Sequence, residues 1–456
     1  MLGEEFESFR NALLEESPTS VRINPRRKVQ LPTGNLQPVP LFEHGFYLPQ
    51  RPSFTFDPYL HAGVYYVQEA SSMFLDRVVR TYVDKPVVAL DMCAAPGGKS
   101  TLLCDALPEG SLLVSNEFVR QRAHVLAENM TKWGNPFVVV TSNAAEEFSA
   151  LPGLFDFILV DAPCSGEGMF RKDEGAVQEW NIANVQQCVE RQRLILDGVW
   201  EALKPGGLLV YSTCTFNLHE NEEQVMRMNK QDGAEVLAGP VSEDWGITSS
   251  LTPDCPCPVY RFLPHKVKGE GLFMAVMRKP DSNETISSSR KKKSKRNAKE
   301  LPIPKACKEW LAEGQAFFWE WHNGIVVALP QLMREVWDVL SEQLHVLQAG
   351  IPVAAMKGRD LIPEHALALS EARNRQTFPE VELEYAQAIA YLRKEAVALP
   401  CDTPKGFVCV TYRGVALGWV KHLGNRANNL YPDPWRIRSG HLPEEIILLK
   451  DLIITT

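Results

Sequence analysis

The apolar positions of this chain change their spacing from region to region. Phe6, Phe9, Leu13 and Leu14 recur every three or four residues and predict an amphipathic helix. Ser20 to Asn24 alternates apolar and polar, as a strand does, within Pro-rich material that runs to about residue 60. Val67 to Phe74 opens a helix. From 87 to 215 short apolar runs (VVAL, SLLVSNE, FVVVTSN, FDFILVDAP, GGLLVYSTCT) are separated mostly by amphipathic stretches. Strands alternating with helices predict an α/β fold with a parallel sheet and right-handed crossovers. Arg261 to Lys279, centred on Gly269-Glu270-Gly271, reads as a closing hairpin. Beyond 300, GIVVALP is a predicted strand, Glu380 to Glu395 a predicted helix, and Gly406 to Lys421 a predicted hairpin.

A length of 456 residues exceeds what one core supports, so several domains are expected. No run of eighteen apolar residues occurs, so no membrane span is expected. The acidic, amphipathic N-terminus has neither a basic n-region nor an apolar h-region, and the chain is expected to stay in the cytoplasm. One of the ten cysteines sits in the loop that holds a ligand, which argues against a disulfide framework. Cys255-Pro-Cys257 has no second pair or His cluster at zinc spacing, so no metal is expected. The net charge of −8 excludes a protein that simply coats nucleic acid, but leaves local footprints open. Two basic clusters stand out, Arg22, Arg26, Arg27 and Lys28, and Arg290 to Arg296. Most such charge runs are only solvated faces, so alone they are weak evidence for RNA.

The stretch Val87 to Thr101 organises the rest. An apolar run ends in Asp91, a turn of small residues follows (Met92-Cys93-Ala94-Ala95-Pro96-Gly97-Gly98), and a helix begins near Lys99. In an open α/β sheet this is where a nucleotide-like ligand rests, past the carboxyl end of a strand. Glycines admit close backbone approach, and the helix start offers free N–H groups. The pattern is neither GxGxxG nor GxxxxGK[ST], so neither a dinucleotide nor an NTP is implied. Glu117 ends the second strand, where an acid accepts from ribose hydroxyls; alone, it reads equally as a surface carboxylate.

The loop resembles the S-adenosylmethionine (SAM) loop of the RNA cytosine-5 methyltransferases, the Nol1/Nop2/Sun family. Gln68-Glu69-Ala70-Ser71 is similar to an element just upstream of that loop in the family, and residues 65 to 279 follow its order of elements. The stretch GEGMFRKD and the long C-terminal extension look most like the bacterial RsmF-type enzymes, which modify 16S ribosomal RNA. The resemblance implies a Rossmann-like SAM-dependent methyltransferase with a mostly parallel seven-stranded sheet and a terminal antiparallel hairpin. It implies SAM as methyl donor and a cofactor site of Cys93, Ala94, Ala95, Pro96, Gly97, Gly98, Lys99, Glu117, Asn143 and Asp161. At 143 the family usually has Asp against the adenine amine. Asn offers a similar oxygen, and a solvated turn residue is the competing reading.

Asp161-Ala162-Pro163-Cys164 follows the fourth strand, and Thr213-Cys214-Thr215 follows the fifth. Amino-methyltransferases often carry an aromatic residue where Cys164 stands. Carbon-5 of cytosine is a poor nucleophile until a thiolate has added to carbon-6. A carboxyl such as Asp161 is suited to protonate ring nitrogen-3. A buried structural thiol explains either cysteine alone, whereas the pair on consecutive loops favours chemistry. By resemblance, Cys214 attacks and Cys164 assists release of the product. Lys99 at the helix start could lower a thiolate pKa or simply pair with an anion. Glu220 to Val225 reads as an ordinary acidic helix start.

Arg171, Lys172, Arg22 and Lys421 are the expected RNA contacts. The Gly414-x-x-Leu417-Gly418-Trp419-x-Lys421 pattern looks like PUA-like modules of RNA-modifying enzymes. The expected division is an N-terminal RNA-binding extension (1–64), a SAM-dependent methyltransferase domain (65–280), a flexible basic linker (281–300), an α+β accessory domain (301–395) and a PUA-like β-barrel (396–456). RNA is the expected partner, 16S rRNA or the small subunit foremost, for a monomeric enzyme. A transfer-RNA methyltransferase, a DNA enzyme attacking through Cys164 and a non-catalytic assembly factor are the rivals.

Overall fold

The structure is a computed structural model and describes residues 2–27, 29, 36–239, 241–281, 302–358, 360–439 and 446–454. Lys28, the run Arg290 to Arg296 and the linker beyond Asp281 lie outside the described residues.

A central sheet carries the site. Its strands are β1 (Val88–Asp91), β2 (Leu112–Asn116), β3 (Val138–Thr141), β4 (Phe155–Asp161), β5 (Leu203–Thr213), β6 (Glu235–Leu237), β7 (Val259–Phe262), β8 (Leu272–Arg278) and β9 (Val346–Ala349). They lie in the order β6-β8-β5-β4-β1-β2-β3-β9, with β7 sharing the outer edge of β8. The five strands from β3 to β5 are parallel. The flanking strands pair antiparallel, β7 and β8 forming the predicted hairpin.

The apolar runs reflect burial on both faces. Phe157 and Leu159 of β4 enter one core while Ile158 and Val160 enter the other. Helices α1 (Gly98–Ala106) and α2 (Arg120–Trp133) cover the first face. Helices α3 (Ile182–Trp200) and α4 (Glu222–Asp232) cover the second.

The sheet has nine strands rather than seven, the additions being β6 and β9. Strand β9 comes from the accessory segment and pairs antiparallel with β3, Val346 opposite Thr141. An uncovered β3 would leave a row of unpaired backbone groups at the sheet edge. Phe318, Val327, Leu329, Trp337 and Leu340 of the same segment join the second core. Phe318, Val327 and Leu329 lie on a four-stranded sheet of this segment, Phe317–His322, Ile325–Pro330, Ile351–Lys357 and Asp360–Pro363.

A last sheet contains Glu380–Glu382, Gly406–Tyr412, Val415–His422 and Ala427–Asn429. Here one expectation is corrected. The helix predicted over Glu380 to Glu395 is a strand at Glu380–Glu382 followed by a helix at Tyr385–Leu392. Val381 alternates with two acids, and the strand finds a parallel partner in Gly406–Tyr412. The division expected at 395/396 therefore falls inside this unit.

The N-terminal strands Thr19–Ile23, Gln37–Pro38, Gly45–Leu48 and Tyr65–Val67 make a small sheet. It shares a core with the C-terminal sheet, Val21, Leu48 and Tyr65 packing in one cluster with Val408, Val410 and Tyr412. The backbone N–H of Ser53 donates to the carbonyl of Ile447 at 2.8 Å across this junction. Among the described residues, no helix is long and apolar enough to cross a membrane.

Candidate active site

The turn from Met92 to Gly97 lies between β1 and α1. Gly97 caps α1 at φ +114°, a conformation that favours glycine. The Ala94 N–H donates to the Asn116 carbonyl at 2.8 Å. Arg122 and Asn129 of α2 donate to the carbonyls of Ala95 and Pro96 at 3.0 and 2.8 Å. The turn is thus held from both sides. Asp91 accepts from Ser100 Oγ at 2.6 Å through one oxygen. Its other oxygen is buried and, among the described residues, has no hydrogen-bond partner. Burial pushes this carboxyl up to about 7.

Glu117 is buried at the end of β2, accepting from the Val119 N–H at 2.9 Å and facing Arg122 at 3.6 Å. The next side chain, Phe118, is 69% exposed. Asn143, buried after β3, donates to Glu147 at 2.8 Å and accepts from the His345 N–H at 3.1 Å. An aspartate there would oppose the Glu147 carboxylate, which accounts for the amide. The oxygen expected to meet an adenine amine is engaged by the chain leading into β9.

Asp161 ends β4 and accepts from Lys99 Nζ at 2.8 Å and from Ser212 Oγ at 2.7 Å. Burial disfavours the Lys99 charge, but the adjacent Asp161 carboxylate outweighs it and the Lys99 pKa is raised. Beyond Asp161 and Ser212, the loops after β4 and β5 meet. Cys164 Sγ and Cys214 Sγ are 3.2 Å apart, and the Gly168 N–H donates to the Cys214 carbonyl at 2.7 Å. The hydrogen bond with Cys214, reinforced by burial, drives the Cys164 pKa well up, so Cys164 keeps its proton.

Two buried acids fasten these loops together, and sequence reasoning missed both. Glu167 accepts from the Phe216 and Asn217 N–H groups at 2.6 and 3.1 Å and from Trp180 Nε1 at 3.0 Å. Glu220 accepts from the Ser165 N–H at 2.9 Å, Gln192 at 2.8 Å and Asn217 at 2.7 Å. Glu220 is therefore no ordinary helix-start acid; it is fully buried and precedes α4. Glu222, the first residue of α4, is likewise fully buried and paired with Arg261. The usable signal was position, since both loop-fastening acids lie within six residues of a cysteine.

The basic residues fare differently. Arg22, expected at RNA, is 0% exposed and bonded to Gln68, Asp105 and Thr101, so it cannot reach a phosphate. Arg171 donates to the carbonyls of Glu15, Glu16 and Gly269, and Lys172 pairs with Glu270. Arg171 ties its loop to the N-terminal segment, and Lys172 ties it to the turn before β8. Lys421 sits half-exposed on the last sheet, 3.7 Å from Asp360.

Comparison with known proteins bears on this constellation. The 16S rRNA methyltransferase RsmB/F family matches residues 83–278, the N-terminal domain of 16S rRNA methyltransferase RsmF matches 1–70, and the methyltransferase RsmF PUA domain matches 378–437. Ribosomal RNA small subunit methyltransferase F of Aliivibrio fischeri (strain MJ11) is 33% identical over 90% of this chain and 87% of its own length. Its counterpart in Klebsiella pneumoniae (strain 342) is 30% identical over 96% and 94%. The chain belongs to the RsmB/F methyltransferase family. A methyltransferase homolog from Pyrococcus horikoshii is 26% identical, with a TM-score of 0.52 over 61% of this chain and 91% of its own. NSun6 from the same organism, solved with SFG, shares the fold at 20% identity and a TM-score of 0.51, over 61% of this chain and 95% of its own.

The RsmB/F loop fits the methyl donor that such enzymes use. SAM carries an ammonium, a carboxylate, a ribose and an adenine. The unpartnered Asp91 oxygen is a ready acceptor for an N–H⁺ donor. The start of α1 offers N–H groups, Glu117 suits ribose hydroxyls, and Phe118 offers an aromatic face.

Proposed function

We propose that this chain methylates carbon-5 of a cytosine in 16S ribosomal RNA, through a transient bond between Cys214 and carbon-6 of the base. The observation that carries the reading is the meeting of Cys164 and Cys214 beside Asp161, at the ends of adjacent parallel strands next to the SAM loop. The relatives named for small-subunit ribosomal RNA supply the substrate class.

Bound SAM supplies an electrophilic methyl group. Cys214 adds to carbon-6 as a thiolate, making carbon-5 electron-rich. Asp161, oriented by Lys99 and Ser212, passes to ring nitrogen-3 a proton drawn from the Lys99 ammonium as charge develops there. After methyl transfer solvent water takes the carbon-5 proton, the electron pair of that bond re-forms the carbon-5–carbon-6 double bond, and Cys214 leaves carbon-6 as thiolate. Protonated Cys164, 3.2 Å away, assists by hydrogen-bonding the departing sulfur. Asp91, Glu117 and the turn from Cys93 to Lys99 hold the donor. The target base must leave its stack to reach these loops. We assign the N-terminal sheet and the PUA unit to RNA docking, and the monomeric enzyme to the cytoplasm.

Incubating wild type, Cys164→Ala and Cys214→Ala with 16S rRNA and labelled SAM tests this. Wild type should yield 5-methylcytosine, Cys164→Ala a denaturation-resistant protein–RNA adduct, and Cys214→Ala neither. An adduct through Cys164 would reverse the roles, and no methylation by wild type would leave a scaffold.

A further inference from the structure

A cavity of about 340 Å³ is lined by none of the residues of the two cysteine loops. Its walls come from three regions. Thr131 of α2 and Gln348 of β9 belong to the catalytic sheet and its cover. Trp337 comes from the accessory segment, Trp435 from the C-terminal unit, and His365 from the short helix His365–Leu369 between them. The volume falls in the range of sites that hold small aromatic ligands, roughly 300 to 1,000 Å³.

His365 makes this more than a packing gap. It is buried, and among the described residues neither ring nitrogen has a hydrogen-bond partner. Native interiors rarely leave such groups unpaired. Burial holds His365 down to about 3, so the ring is neutral, with one donor and one acceptor. Tyr431 and Trp435 meet it edge-on at 5.2 and 5.0 Å. The surroundings carry both charges. Lys132 Nζ lies 5.5 Å over the Trp435 ring and pairs with Glu128, Arg436 pairs with Asp433 at 3.6 Å, Arg438 is exposed, and Glu320 and Glu364 line the cavity.

We propose that this cavity receives an unpaired nucleobase of the RNA, away from the cytosine being modified. Indole walls stack a base, and His365 answers donor and acceptor atoms on its edge. Because β9 is hydrogen-bonded to β3, the cavity keeps a fixed spacing from the cysteines. It would therefore measure the distance between a recognised base and the target. The inference rests on RNA being the substrate of the active site.

The test uses full-length protein and 16S rRNA transcribed with 4-thiouridine. Photo-crosslinks should map to peptides bearing Trp435 or Trp337. Trp435→Ala removes a stacking wall, and Ala366→Phe fills the cavity while retaining both Trp435 and His365. Each should raise the KM for rRNA about tenfold, within the range of one base–aromatic stack, and leave the KM for SAM unchanged. Folded variants with unaltered KM for rRNA, or crosslinks confined to other surfaces, would overturn the proposal. Absence of methyl transfer by wild type would refute the activity, and crosslinking would still decide the cavity.

Discussion

Cys164 and Cys214 stand fifty residues apart in sequence, yet their sulfurs are 3.2 Å apart. Parallel pairing of β4 with β5 sets Asp161 opposite Ser212, which brings the two following loops side by side. The hydrogen bond between them, reinforced by burial, raises the Cys164 pKa well above its ordinary value, so Cys164 keeps its proton.

That asymmetry is chemically readable. At pH 8, iodoacetamide should modify Cys214 before Cys164, because thiolate is the reacting form and Cys164 holds its proton. Peptide mass spectrometry over a time course checks the order. Equal rates at the two sites would contradict the assigned donor.

Glu167 spans the cysteine loops through bonds to Phe216, Asn217 and Trp180. Glu167→Ala strips a buried carboxylate from several N–H donors, a loss of about 2 kcal/mol or more locally. Expected is a fall in kcat of at least tenfold with SAM affinity retained. Isothermal titration with SAM beside single-turnover methylation separates the two quantities.

Arg22 and Asp105 form a buried pair at 2.8 Å. Arg22→Met leaves Asp105 to Arg26 and the Trp133 indole and should destabilise the protein by about 3 to 5 kcal/mol. Adding Asp105→Asn should recover part of that loss. Urea unfolding of the three proteins measures it. A loss of RNA affinity without a loss of stability would restore the contact expected from sequence.

Asp91 predicts a pH effect. Its carboxyl is raised from 3.8 to about 7 by burial, so the folded state binds the extra proton. The stability it contributes is complete below about 4 and is lost as pH rises through about 7. Stability of wild type relative to Asp91→Asn should therefore decline across that window and flatten above it, in denaturation of SAM-free protein at several pH values.

The strand-and-helix rhythm from 87 to 215 was legible because each strand is buried on both faces and each helix on one. Local apolar patterning records that burial directly. The turn from Asp91 to Lys99 and the two cysteines were legible too, since their chemistry depends on residue type at strand ends. Tertiary structure alone decided the rest. Val346–Ala349 carries no strand signature, and only the open edge of β3 makes it the ninth strand. Glu380–Glu382 resembles the start of a helix until a parallel neighbour claims its backbone. Arg22 reads as a surface cation in any local window, and becomes a buried strut only when Asp105, far along the chain, is folded against it. Glu167 and Glu220 look like solvated acids for the same reason. A charge declares whether it faces water or a partner only after the chain has closed around it.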